Sequence, residues 1–107
     1  MAITREGRFV FDYDRVDAVI YDLLEVPIDR FTVSKNSMDK ISQLLDLDSV
    51  DTEEGLRAIR NAVVRRLGSM KNEIGEDNIK ELFHLSTQIS GITAVIDNEL
   101  WKRGYEV

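Results

Sequence analysis

A proline-free run from Asp77 to Gly104 constrains the fold of this chain more than any other segment. Apolar side chains recur three or four residues apart along it, which is the spacing of a helix that buries one face. These positions are Leu82, Leu85, Ile89, Ile92, Ile96 and Leu100. We therefore predict one long helix over 77–103 that packs its apolar side against the rest of the molecule.

Three shorter helices are predicted over 14–25, 37–47 and 51–67 from apolar spacing of the same kind. A chain of 107 residues suffices for one hydrophobic core, so residues 1–107 are expected to form a single domain. Residues 1–12 have the β-propensity of an extended segment or of one short hairpin. The predicted fold is all-α, a four-helix bundle-like domain with an extended or short β-hairpin N-terminal arm.

The ends of the predicted helices are placed by their capping residues. Asn36 and Asp51 are the expected N-caps of the second and third helices, because short polar side chains accept a hydrogen bond from the first turn. Gly68 is the expected C-cap of the third helix and Gly104 that of the fourth. The fourth helix would then overhang the shorter ones and leave apolar surface for another chain.

Composition excludes several kinds of site. The chain has no cysteine, which rules out disulfides, thiolate catalysis and cysteine-based metal centres. Its single histidine, His84, is too few for a histidine-based metal site. No secretory signal is recognisable, and no apolar stretch approaches the roughly 18–20 residues needed to span a bilayer. We expect a cytoplasmic protein with no membrane partner and no cofactor.

The formal net charge of −6 disfavours binding to nucleic acid and to anionic membranes. It is compatible with docking on a protein that has a basic or mixed surface. Two other functions stay open as alternatives, because the acidic and the basic residues both form local groups along the chain.

Clustered carboxylates leave open an all-α, Mg²⁺-dependent phosphohydrolase, since such side chains hold Mg²⁺ through water and substrate phosphates. Asp17 and Asp22 on the first helix point about 140° apart, however, and acidic residues are expected at a helix start for electrostatic reasons. The acidic groups are Asp14, Asp17, Asp22 and Glu25, then Glu73, Glu76, Asp77 and Glu81.

Four arginines on the third helix leave open a helix-turn-helix-like regulator that binds DNA. They are Arg57, Arg60, Arg65 and Arg66. At 100° per residue they scatter around the helix, and the acidic connection 46–50 is longer than a helix-turn-helix allows. An arginine patch for an acidic protein partner, or ion pairs with the acidic residues of the first helix, is the interpretation we favour.

Small side chains at Ser86, Ser90, Thr93 and Ala94 form a ridge on the fourth helix, with Gly91 on its flank. Such a ridge lets another backbone approach closely. A glycine inside a helix costs about 1 kcal/mol relative to alanine, which also indicates close approach or a kink. The approaching element is either another part of the same chain or a second copy at a dimer seam.

Aromatic residues supply the remaining candidates. Phe9 and Phe11 share a side if the N-terminal arm is extended. Trp101 and Tyr105 lie four residues apart, and both residue types are frequent at binding hot spots. The alternative for Trp101 is burial at the end of the core.

From these features we predict a small, acidic, all-helical protein–protein interaction module that is not an enzyme. It would act as an inhibitor or adaptor by docking on a protein partner, and it would form a homodimer through the fourth helix. The predicted interaction residues are Phe9, Phe11, Arg57, Arg60, Ser86, Ser90, Thr93, Ala94, Trp101 and Tyr105.

Overall fold

The computed structural model describes residues 15–29 and 32–106, which fold into four α-helices around one core. The helices are α1 (15–25), α2 (Lys35–Leu45), α3 (Glu53–Asn72) and α4 (Ile79–Lys102), and a 3₁₀ turn (Leu47–Ser49) joins α2 to α3. The all-helical prediction is confirmed, and the described residues contain no strand. The predicted N-terminal arm, with Phe9 and Phe11, lies outside the described residues.

Helix α2 begins two residues earlier than the sequence predicted. Ser34, and not Asn36, is its N-cap, because the Ser34 hydroxyl accepts a hydrogen bond from the Ser37 amide at 3.2 Å. The helix also ends earlier, at Leu45, since Asp46 adopts a left-handed conformation with φ of 51°. Aspartate tolerates this conformation better than most residues.

Helix α3 differs from its prediction at both ends. Thr52, and not Asp51, is the N-cap, and its hydroxyl accepts from the Gly55 amide at 3.0 Å. Gly68 is not a C-cap, because the helix continues through it to Asn72. Met70 and Ile74 beyond it pack against the core, and their burial outweighs the roughly 1 kcal/mol helical cost of one glycine.

Helix α4 is one unbroken helix of 24 residues, as its apolar spacing predicted. Gly104 follows its end with φ of 87°, a conformation that favours glycine. The Gly104 amide donates to the Trp101 carbonyl and the Tyr105 amide to the Leu100 carbonyl, both at 3.0 Å, the pattern of a Schellman motif. Because α3 has 20 residues, α4 overhangs it far less than the sequence predicted.

The core forms where α3 and α4 lie side by side, joined by the short connection 73–78. Val63 and Leu67 on α3 and Ile92 and Ile96 on α4 are fully buried there. Each such side chain contributes roughly 1.5–3 kcal/mol through burial. The guanidinium of Arg60 binds the Asp97 carboxylate through Nε and Oδ1 at 2.8 Å, which sets the antiparallel register of the two helices.

Side chains from other elements satisfy the carbonyl groups at three helix ends. Gln88 Nε2 on α4 donates to the Leu23 and Val26 carbonyls, both at 3.0 Å, at the end of α1. Arg15 donates to the last carbonyls of α2 at 3.2 Å. Arg103 donates to the Leu47 carbonyl at 3.0 Å and to the Val50 carbonyl, after the 3₁₀ turn. The helix ends are therefore fixed by tertiary contacts as well as by local caps.

Among the described helices, none is long and apolar enough to cross a bilayer. The cytoplasmic location stays a prediction.

Candidate protein-interaction surface

Most of the large apolar side chains that the described residues leave exposed belong to α4. Five such side chains are exposed, and three of them are Ile79 (70% exposed), Phe83 (48%) and Trp101 (70%). The other two are Tyr21 on α1 and Val64 on α3. Single exposed apolar residues are ordinary, but several on one helix indicate a contact surface.

The three side chains share one side of the helix with two small residues. At 100° per residue, Ile79, Phe83, Ser90, Ala94 and Trp101 fall within an arc of about 60°. All five are exposed. We call these five residues the outer face of α4. Phe83 and Trp101 lie five turns apart, about 27 Å along the axis, with Ser90 and Ala94 between them.

The small-residue ridge predicted from the sequence is divided by the structure. Ser90 and Ala94 belong to the outer face, and Ser86 is half-buried beside it. Thr93 is buried, and its hydroxyl donates to the Ile89 carbonyl at 2.8 Å and to the Ser90 carbonyl at 3.1 Å. Two of the four ridge residues are therefore accessible to a partner and one is not.

Gly91 marks a close approach within the chain. A Cβ built on it would lie 2.6 Å from Cγ2 and 2.7 Å from Cδ1 of Ile28, in the segment after α1. The mid-helix glycine thus makes room for Ile28, and α4 continues through it. Residues Asp29, Thr32 and Val33 continue along α4 and leave a groove of about 150 Å³ beside Ser90 and Ala94.

Trp101 and Tyr105 have different environments. Trp101 is on the surface, so the alternative that it covers the core is wrong. Tyr105 follows the end of α4 and is partly buried against the core. Of the two, Trp101 is the one that offers its ring to a partner.

Three arginines of α3 are engaged in ion pairs within the chain. Arg57 Nε lies 2.8 Å from Glu53 Oε2, and Arg57 Nη2 also donates to the Glu106 carbonyl. Arg60 is held by Asp97, and Arg66 Nε lies 3.2 Å from Asp17 Oδ1 on α1. Arg66 thus pairs with an acidic residue of the first helix, as one interpretation predicted, whereas Arg57 pairs within α3 and Arg60 pairs with α4.

Among the described residues, Glu99 near the end of α4 is the group with a resolved pKa shift. Burial acts to raise the pKa of Glu99, but the hydrogen bond from Arg103 and the charges of Lys102 and Arg103 outweigh it, so that the pKa lies below its usual value. Arg103 Nε lies 2.9 Å from Glu99 Oε2. Because the same Arg103 holds the 3₁₀ turn, this ion pair is part of the fold.

The carboxylates do not assemble a metal site in the part of the chain that the structure describes. No group of three or more histidine and acidic side chains lies close enough there to hold an ion. His84 is exposed, and its Nε2 lies 3.1 Å from the Leu24 carbonyl. The phosphohydrolase alternative gains no support from these positions, and the paired arginines likewise add none for DNA binding.

A groove of about 700 Å³ lies between the end of α1 and α2. Its polar lining mixes Asp22 and Glu25 with Lys40, Ser34 and Ser37. Ser37 is already occupied by its hydrogen bond to the Pro27 carbonyl. We find in this groove no arrangement of a nucleophile and a base.

The sequence analysis did not single out Ile79 and Phe83, which are exposed on this face. Their spacing to Ser90, Ala94 and Trp101 follows whole helical turns, so a search for a second stripe on α4 would have found them. The buried stripe through Leu85, Ile92 and Ile96 is the stronger apolar pattern on this helix.

No protein-family model, no curated protein and no solved structure matches this chain. We therefore infer function from the geometry of α4 and its surroundings.

Proposed function

We propose that this chain is a small, acidic, all-helical protein–protein interaction module without catalytic activity. It docks on a protein partner, as an inhibitor or adaptor, and self-associates through α4. The observation that carries the proposal is the outer face of α4, where Ile79, Phe83 and Trp101 are exposed along one side of a helix whose opposite side is core.

Trp101 is the expected centre of the contact. Its side chain is 70% exposed, although burial of apolar surface stabilises a protein by about 25 cal/mol per Å². Its position on the side of α4 opposite the core leaves the ring open to a partner. Tryptophan is enriched among the residues that dominate binding energy, because its ring supplies a large contact area at low entropic cost.

The charge of the surroundings favours a particular kind of partner. The net charge is −6, so a partner with a basic or mixed surface is attracted at long range. The five residues of the outer face are uncharged, and Asp97, which lies within the same arc, is paired with Arg60. Electrostatic attraction would therefore bring the two proteins together, and apolar contact at the outer face would hold them.

The proposal also includes the N-terminal segment. Phe9 and Phe11 would add a second aromatic contact if residues 1–12 form the predicted arm on a four-helix bundle. Deletion of these residues tests this part independently of α4.

The test compares proteins captured by the wild-type chain with those captured by Trp101→Ser, with Tyr21→Ser as a matched control. Tyr21 is 68% exposed and lies on α1, so it differs from Trp101 in location and little in exposure. We expect at least one protein whose capture falls about tenfold or more with Trp101→Ser and stays unchanged with Tyr21→Ser. Direct titration of that protein with both variants then measures the loss of affinity.

The proposal fails if capture is insensitive to Trp101, or if both variants reduce it equally. Circular dichroism of both variants checks that each keeps its helix content, which is expected because both side chains are on the surface.

A further inference from the structure

We infer that the outer face of α4 is a self-complementary interface that pairs two copies of this chain antiparallel across a twofold axis. The axis passes at the level of residue 92, on the side of α4 opposite the buried Ile92. This deepens the proposed function, on which it rests, by naming the second copy as the occupant of the face in the absence of another partner and by fixing the register.

The spacing of the outer face is symmetric about this level. Phe83 precedes residue 92 by nine positions, and Trp101 follows it by nine. Ser90 and Ala94 stand two positions before and after it. A symmetric pair of antiparallel helices brings residues at equal and opposite distances from the axis to the same level.

The shapes of the side chains fit this pairing. Phe83 comes to the level of the partner's Trp101, where two aromatic rings can pack against each other at both ends of the interface. Ser90 comes to the level of the partner's Ala94, where small side chains let the two helix axes approach within about 8–10 Å. A parallel pairing would instead place tryptophan on tryptophan at one end and phenylalanine on phenylalanine at the other.

The available area fits a small dimer. Aromatic side chains bury about 150–250 Å² each, so the exposed fractions of Phe83 and Trp101 supply roughly 250 Å² per copy. With Ile79 and the small residues between them, two copies would bury on the order of 1,000 Å² in total, near the lower limit for a specific interface. We therefore expect a reversible dimer with a dissociation constant in the micromolar range, on the order of 10 µM.

The first experiment measures association by sedimentation velocity over a range of concentrations, for the wild-type chain, Trp101→Ser and Tyr21→Ser. We expect Trp101→Ser to raise the dissociation constant at least about tenfold, because each dimer loses two tryptophan contacts. Tyr21→Ser should leave it unchanged. A wild-type chain that stays monomeric at all concentrations overturns the inference.

The second experiment tests the register with thiols, which the chain otherwise lacks. Thr87 and Asn98 are partly exposed and lie on the same border of the outer face, five positions before and six after residue 92. A mixture of Thr87→Cys and Asn98→Cys chains should be joined by a short bifunctional thiol reagent. Each variant alone should give little product, because like positions lie about 15 Å or more apart along the pair.

The opposite pattern, in which each variant cross-links with itself and the mixture gives no more, shows a parallel pairing and overturns the register. If association depends on Trp101 but cross-linking is absent from every sample, the antiparallel pairing is wrong while the proposed function stands. If association is independent of Trp101 and captured proteins are too, the proposed function itself fails.

Discussion

At the scale of single residues, Gln88 is the buried polar side chain on which the end of α1 depends. It is 1% exposed, and its amide donates to carbonyl groups at the end of that helix. A helix leaves its last carbonyls without partners inside the helix, and burial makes an unpaired carbonyl costly. One side chain on α4 thereby supplies the hydrogen-bond donor that the local sequence around Pro27 lacks.

We expect Gln88→Leu to lower the free energy of unfolding by about 1–3 kcal/mol, because buried carbonyls lose their donor. Urea unfolding followed by circular dichroism measures the change. Gln43→Leu is the control, since Gln43 lies on the exposed side of α2 and its replacement should shift stability by less than about 0.5 kcal/mol. Equal stability of Gln88→Leu and wild type would show that these hydrogen bonds contribute nothing net.

At the scale of secondary-structure elements, Gly91 and Ile28 determine how the segment after α1 lies on α4. The Ile28 side chain occupies the space that a Cβ at position 91 would need. The glycine therefore lowers the intrinsic stability of α4 and in return lets another segment pack on it. This trade explains a glycine in the middle of a long helix.

Gly91→Ala should destabilise the wild-type chain by about 1–2 kcal/mol, because overlap with Ile28 outweighs the gain of roughly 1 kcal/mol in helix propensity. In an Ile28→Ala background the same substitution should stabilise by up to about 1 kcal/mol, since the overlap is gone. A double-mutant cycle by urea unfolding measures the change of sign. The same sign in both backgrounds contradicts the assigned contact.

Helix existence could be predicted from sequence because each helix repeats its apolar residues at a helical period. The ends were less predictable. Two neighbouring residues can have similar N-cap preference, as Thr52 and Asp51 do, and tertiary packing then determines which of them caps the helix. Packing also explains why Gly68 is not a C-cap. A glycine tends to end a helix where the residues beyond it do not pack on the core, but Met70 and Ile74 do pack on it.

The candidate site was predictable in part. Ser90, Ala94 and Trp101 were named from sequence and are exposed on one face of α4, whereas Thr93 is buried. Spacing along one helix gives the relative direction of side chains but not which directions the neighbouring elements cover. That depends on where α3 and the segment near Ile28 lie.

At the scale of the whole molecule, the C-terminal end of α4 joins the connection between α2 and α3 through Glu99 and Arg103. Burial tends to raise the pKa of Glu99, but the hydrogen bond from Arg103 and the nearby positive charges hold it below the usual 4.5. A carboxyl group with a lowered pKa in the folded state stabilises the fold above its unfolded pKa. That contribution is lost as the pH falls through the folded-state value.

We expect the stability of the wild-type chain to decline as the pH falls below about 4.5, and Glu99→Gln to make this decline shallower. At neutral pH, Glu99→Gln should cost about 1 kcal/mol, because Arg103 loses a charged partner in a partly buried place. Thermal unfolding across this pH range measures both effects. Glu76→Gln, at an exposed position before α4, is the control and should keep the wild-type acid profile.

Residue spacing alone predicted that this protein is helical, where its long helix lies and which side of that helix is apolar, because these properties depend on the order of residues along one chain. Tertiary structure decided which helix ends are held by distant side chains, that Gly91 receives Ile28, and that Trp101 stays in water. Those outcomes depend on residues far apart in sequence that become neighbours only when the helices pack, and local periodicity carries no information about that arrangement.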